Sequence, residues 1–196
     1  MAFAYPVFLE LQGKRAVVIG SVATKEGKDD ALRSAGAEVA VFANGAWTPE
    51  DLDGASVCVA SSSDAGERDA IARAARARGV LVNVMDDVPN CDFAAPAIVR
   101  RGDLVLAIST GGASPAVARK VREQLERRFG AEWGETLAVI SEVRRETLPA
   151  LGNLRVRANR WRQALDLDEA VELVRTGRAD ELRRTLIERL LGAGAA

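Results

Sequence analysis

Two acidic residues, Asp86 and Asp87, stand where the apolar run Val80–Met85 stops. If that run is a strand, its C-terminal edge is where open α/β sheets bind ligands. A carboxylate there is placed to take or give a proton. An aspartate that merely closes a turn or caps a helix would have the same neighbours. Further on, Ser109-Thr110-Gly111-Gly112-Ala113-Ser114-Pro115 is a glycine-rich helix entrance. Ser114 suits an N-cap and Pro115 the first helical position. The glycines leave backbone amides approachable, and the helix dipole adds to them, so a carboxylate or phosphate fits there. Arg100, Arg101, Arg119 and Lys120 are close in sequence and point to a polyanionic ligand. A plain capped helix is the competing explanation.

A third candidate is the turn Gly20-Ser21-Val22-Ala23-Thr24-Lys25-Glu26-Gly27-Lys28. A dinucleotide fingerprint wants G-x-G-x-x-G/A here, because bare backbone lets the pyrophosphate approach. Only Gly20 keeps the pattern; Val22 and Lys25 hold the other two positions. An ordinary strand–helix turn therefore competes with a nucleotide site. A fourth element is basic, with Arg155, Arg157, Arg160 and Arg162 close together. Such a run is usually a solvated or subunit-facing helix face.

The elements that must position these residues follow from periodicity. Residues 14–19, Glu38–Phe42, Ser56–Ala60 and Val80–Met85 read as short, continuously apolar strands. Lys28–Ala35, ending at Gly36, and Ala65–Arg78 read as helices between them. That alternation predicts an α/β fold with a Rossmann-like parallel sheet. Ala97–Val99 and Leu104–Ile108 suggest a hairpin turned at Arg100–Asp103. Beyond Pro115 the spacing becomes helical: Val117–Phe129, Trp133–Glu146, Arg155–Ala164, Leu167–Thr176 and Ala179–Leu191, with Asp168 and Asp180 as candidate N-caps. The change of periodicity puts a domain boundary near residues 110–115.

Composition narrows the chemistry. The 196 residues include no histidine, which excludes histidine bases, Ser-His-Asp triads and histidine metal ligands. A net charge of −1 argues against a general nucleic-acid binder. Cys58 and Cys91 match no zinc spacing and read as reduced thiols, so no resident metal is expected. No apolar run reaches membrane-spanning length, and the N-terminus has no basic leader region and carries Glu10. The expected location is the cytoplasm, with no membrane partner.

Several of these segments together resemble the siroheme synthase N-terminal module, the precorrin-2 dehydrogenase / sirohydrochlorin ferrochelatase family. The matching pieces are Tyr5-Pro6-Val7-Phe8-Leu9, Ala75–Gly79 leading into Val82–Asp87, Cys91-Asp92-Phe93, Pro96–Leu104 and Ser109–Ala116. The resemblance runs along essentially the whole chain, while the methyltransferase module of some members has no counterpart in it. It implies NAD⁺-dependent dehydrogenation of precorrin-2 to sirohydrochlorin, with Fe²⁺ inserted as a further substrate in some members. It implies a homodimer, organised as a Rossmann-like NAD-binding domain over residues 1–112, a dimerisation region over 113–150 and a small C-terminal helical domain over 151–196. It assigns Asp86 to catalysis. It assigns Gly20, Ser21, Val22, Ala23, Thr24, Asn44 and Gly45 to NAD. Ser109 and Thr110 fall on the family's serine-rich loop. With Gly111, Gly112, Ser114, Arg100 and Arg119 they make the expected tetrapyrrole-binding set. The family turn is close to G-G-G-x-V-A-x-R-K, and this chain keeps one of its three glycines. A second reading is therefore an NAD-independent chelatase, or a tetrapyrrole-binding protein without catalysis.

Overall fold

The computed structural model describes residues 5–192. The chain divides into two compact units, one ending at Ala95 and the other beginning at Pro96.

In the first unit four parallel strands form one sheet: β1 (Arg15–Ile19), β2 (Glu38–Phe42), β3 (Ala55–Ala60) and β4 (Leu81–Val84), in the order β2-β1-β3-β4. Strand residues alternate between faces. Val17, Ile19, Cys58, Ala60, Val82 and Val84 face one side, against Ile71, Ala72 and Ala75 of α3 (Ala65–Ala77). Ala16, Val18, Val57 and Val59 face the other, against Leu11, Ala23, Leu32 and Ala37. Both faces are covered, which is why the strands read as unbroken apolar runs. Two short helices, α1 (Ser21–Lys25) and α2 (Lys28–Ser34), join β1 to β2. The sequence reading had a turn where α1 lies. Helix α2 ends at Gly36, whose φ of +83° lets its N–H reach Arg33 O while Ala37 N–H reaches Leu32 O.

In the second unit an antiparallel hairpin, β5 (Ala97–Arg101) and β6 (Leu104–Ile108), packs on α4 (Pro115–Arg128) and α5 (Glu132–Thr147). Three further helices follow: α6 (Leu154–Ala164), α7 (Leu167–Arg175) and α8 (Ala179–Leu191). Val143 of α5 shares one core with Leu151, Ala164, Leu173, Leu182, Leu186 and Leu190.

Three expectations change. The first unit stops at Ala95 rather than residue 112, because β5 and β6 pair only with each other and the parallel sheet closes at β4. Residues on either side of position 150 belong to one unit, because α5 and α6–α8 bury the same core. The caps also shift. Asp166, not Asp168, caps α7 by accepting from the Asp168 and Glu169 amides, and Asp180 lies in the first turn of α8 rather than at its cap.

Candidate functional site

The strand order reverses between β1 and β3, since β1 leads out to β2 and the chain then returns to the other side of β1. Open α/β sheets bind ligands at such a point, beyond the C-terminal strand ends. A cleft of about 460 Å³ lies there, lined by Ser21, Val22, Asn44, Ser61–Ser63, Arg68, Met85 and Asp86. It gathers residues that are far apart in sequence from the ends of β1, β2, β3 and β4.

Gly20 ends β1 with φ +97°, and a Cβ on it would lie 2.1 Å from Ser61 O. The turn is tight because two strand ends meet backbone to backbone. Ser61, buried at the end of β3, accepts the Ala23 N–H on its Oγ (3.0 Å) and the Asn44 Nδ2 donor on its carbonyl (2.8 Å). Of the expected cofactor residues, Ser21, Val22 and Asn44 line the cleft. Ala23 is buried, and its amide is taken by Ser61. Thr24 turns its hydroxyl toward Gly20 O (3.4 Å). The Gly45 amide is taken by Glu67. Val22 is half exposed on the cleft wall, in the place of the pattern's second glycine.

Asp86 sits on the facing wall. Val84 O accepts the Asp87 N–H, which closes a tight turn with Asp86 at φ +61°. Asp86 is the only described non-glycine residue with positive φ. Such strain persists where the surroundings fix it, and it collects at functional positions. Here the turn is fixed from below. The Cys91 thiol lies 3.0 Å from Val84 O and 3.3 Å from Asp87 O, and Asn83 Nδ2 donates to Phe93 O. Burial pushes the Cys91 thiol up, so it stays protonated as a donor. Asp87 is occupied: it accepts from Arg68 Nε (2.7 Å) and Asn90 Nδ2 (3.1 Å). The Arg68 hydrogen bond, then that of Asn90, hold its carboxyl below the usual range. No comparable bond reaches the exposed Asp86 carboxylate among the described residues.

The residues of the second expected set lie in the second unit. Ser114 caps α4 by accepting the Val117 amide, and Pro115 begins the helix, as expected. Ser109 Oγ accepts the Gly111 amide. Thr110 Oγ1 accepts the Ser114 amide and donates to Ser114 O. Gly111 and Gly112 both have positive φ. Among the described residues, Arg119 makes only an exposed ion pair with Glu123 (3.2 Å). Arg100 is exposed on the outer face of β5, whereas Arg101 ties down the end of α4 through Phe129 O and Glu126 O. In the basic helix α6, Arg160 donates to Leu190 O, and most of the helix is exposed.

Two residues were not picked out as site residues from the sequence: Arg68, which lines the cleft, and Glu67, which bonds to cleft residues Asn44 and Ser62. Arg68 holds Asp87 and donates to Ser62 O (3.1 Å) and Ser63 O (3.2 Å). Glu67 gathers four donors from the ends of β2 and β3. In sequence, Asp64 followed three places later by Glu67 reads as a capping box, which hides the real destination of the Glu67 carboxylate. The signal that could have revealed it was the cluster of donors Asn44, Gly45 and Trp47 just beyond β2.

Comparison with known proteins fits this geometry. Residues 7–97 match the family model "Putative NAD(P)-binding", and residues 101–128 match that of the sirohaem biosynthesis protein central region. The siroheme synthase of Methylococcus capsulatus is 31% identical over 93% of this chain and 42% of its own length. Siroheme synthase 1 of Pectobacterium atrosepticum is 32% identical over 95% of this chain and 42% of its own. The chain thus spans less than half the length of these curated relatives. Among solved structures, "SirC, precorrin-2 dehydrogenase" has the same fold, with a TM-score of 0.60 at 20% identity over 93% of this chain and 98% of that one.

Proposed function

We propose that this chain, which belongs to the family of the siroheme synthase N-terminal module, oxidises precorrin-2 to sirohydrochlorin with NAD⁺ as acceptor. The observation that carries the reading is the shared cleft. An uncommitted carboxylate on a left-handed turn, Asp86, faces the β1 turn and the end of β2 across the switch point. The residues present suit a dinucleotide there. Gly20 permits the close turn, and Ser21 and Asn44 offer polar contacts on the wall. NAD⁺ held there would supply the hydride acceptor for oxidation of the tetrapyrrole. Asp86 would take the accompanying proton on its carboxylate, since the chain has no histidine to do so. Arg68 draws Asp87 away and leaves Asp86 as the carboxylate free to act.

The tetrapyrrole is rich in carboxylates, and Arg100, Arg119 and the Ser109–Ser114 loop supply donors that suit it. Arg119 is available because its pair with Glu123 is exposed and weak. A homodimer is part of the proposal. No residue of helix α4 is fully buried, although Val117, Val121 and Leu125 recur at helical spacing, and Val117 is exposed. Fe²⁺ insertion would use the same carboxylate to accept pyrrole protons, with iron as substrate.

Val22 favours a second reading, in which the chain acts on tetrapyrroles without NAD. Calorimetric titration with NAD⁺, paired with precorrin-2 turnover in wild type and Asp86→Ala, separates the two. The first reading expects wild type to bind NAD⁺ and turn over. It expects Asp86→Ala to bind NAD⁺ as well and to lose turnover. A folded wild-type protein that binds no NAD⁺ moves the assignment to the chelatase. Full turnover in Asp86→Ala removes Asp86 from the mechanism.

A further inference from the structure

We infer that Glu67 fills an anion cradle at the end of β2 from inside the fold, and so makes this chain reject dinucleotides that carry a 2′-phosphate. The inference rests on the dinucleotide reading and names how the cofactor is selected.

In a Rossmann sheet the residues just beyond β2 meet the adenosine ribose. An acid there accepts from the 2′-hydroxyl, whereas a nearby arginine accommodates a 2′-phosphate. This chain has neither arrangement, since Asn44 stands at that point. Its donors instead converge on one carboxylate that arrives from α3. The Gly45 amide (2.7 Å) and Trp47 Nε1 (3.0 Å) donate to Glu67 Oε1. Ser62 Oγ (2.6 Å) and Asn44 Nδ2 (3.1 Å) donate to Oε2. A carboxylate offers about four acceptor positions, and these four donors fill them.

The same four donors would suit a phosphate if the carboxylate were absent. They come from two segments, the β2–β3 link and the β3–α3 turn, so the cradle is built by the fold. Asn44 and Ser62 also line the cleft, which places the cradle in its wall. Burial alone would raise the Glu67 carboxyl, but the bonds from Ser62, Gly45, Trp47 and Asn44 together outweigh it and hold it below its ordinary value. Glu67 is therefore negative at neutral pH. A 2′-phosphate arriving there meets a like charge and finds no free donor. The nearest arginine in sequence, Arg68, is committed to Asp87 and to the carbonyls of Ser62 and Ser63. A ribose with a free 2′-hydroxyl brings no charge and suffers no such repulsion.

The test is calorimetric, on the full chain, with NAD⁺, NADP⁺ and the fragments 5′-ADP and 2′,5′-ADP. The variants are Glu67→Ser, which empties the cradle, and Glu67→Gln, which keeps the side chain's length and removes its charge. Circular dichroism and melting temperature establish that each is folded. Wild type should bind NAD⁺ and prefer it to NADP⁺. Glu67→Ser should gain at least about tenfold for NADP⁺ and for 2′,5′-ADP, with little change for 5′-ADP. Glu67→Gln should move the same way by a smaller factor, and it carries the test if Glu67→Ser does not fold. If wild type binds NAD⁺ and neither variant gains affinity for the 2′-phosphate ligands, Glu67 is only a clasp and the inference is overturned, while the dinucleotide reading stands. If folded wild type and variants bind none of the four, the dinucleotide reading fails and the selection inference falls with it.

Discussion

Replacing Gly20 by alanine would place a methyl carbon 2.1 Å from Ser61 O and 2.6 Å from Ser61 Oγ. The carbonyl cannot step aside cheaply. Ser61 N–H donates to Ile19 O at 2.8 Å, and Asn44 Nδ2 donates to Ser61 O at 2.8 Å. Ordinary contact would require the two strand ends to part by more than roughly 1 Å, which breaks one or both bonds. Each lost bond costs about 1 kcal/mol. The φ of +97° adds about 1–3 kcal/mol for any residue with a Cβ. Together the Gly20→Ala penalty is about 2–5 kcal/mol. Hydrogen exchange followed by mass spectrometry reads this locally. Peptides spanning β1 and β3 should exchange at least about twentyfold faster in the variant, because each 1.4 kcal/mol is about tenfold. Peptides of α7 and α8, in the other unit, should exchange as in wild type. Protection of β1 and β3 within about threefold of wild type would mean that the close approach of Gly20 to Ser61 does not constrain the fold.

Further outcomes follow from the same geometry. Val22→Gly should tighten NAD⁺ binding by about tenfold to a hundredfold in calorimetry, since it restores approachable backbone in the β1 turn; unchanged affinity would clear Val22 of any part in the cleft. Arg68→Ala should destabilise the first unit by about 1–2 kcal/mol at pH 7, as Asp87 loses a half-buried charged partner. The folded Asp87 carboxyl is depressed, so its contribution is present above the ordinary carboxylate range and lost as pH falls through the lower folded value. Urea melts of the two proteins should therefore differ at pH 7 and converge below about pH 4, and a constant difference across that window would assign the effect to packing alone. Asp166→Ala should cost the second unit about 1 kcal/mol and Asp168→Ala much less, because only Asp166 caps α7. Equal costs would return the cap to either residue.

The parallel sheet was legible because each strand is an unbroken apolar run buried on both faces. Asp86 was legible because a strand ends on it, and Ser114-Pro115 because a cap and its proline are adjacent in sequence. The unit boundary was not. The β5–β6 hairpin itself was legible, but nothing local in a short hairpin says which unit it joins, so it was assigned to the first unit when it belongs with the helices of the second. The α7 cap was ambiguous for a related reason. Asp166 and Asp168 are equally good capping residues, and the extended backbone at Asp166 decides between them. Glu67 was hidden by a local pattern that accounted for it too easily. Three of its four partners, Asn44, Gly45 and Trp47, lie about twenty residues earlier, beyond β2.

The eroded glycine turn takes on a different meaning beside Ser61 and Glu67. In a turn of the family type, free backbone amides and the donors beyond β2 are left for the cofactor's phosphates and ribose. In this chain the Ala23 amide is satisfied by Ser61 Oγ, and the donors beyond β2 are satisfied by Glu67. The cleft is therefore pre-paired by its own side chains and loses little when no nucleotide is bound. A ligand entering it must compete with bonds already made, and its net gain is correspondingly smaller. Bulk at Val22 acts in the same direction. The opposite wall shows no such internal pairing at Asp86, whose neighbour Asp87 is the carboxylate that Arg68 and Asn90 occupy. Under the proposed function, the asymmetry places the demand on the Asp86 carboxylate and relaxes it on cofactor affinity. It is what a dehydrogenase working at high dinucleotide concentration would tolerate, and what a chelatase would not need to correct.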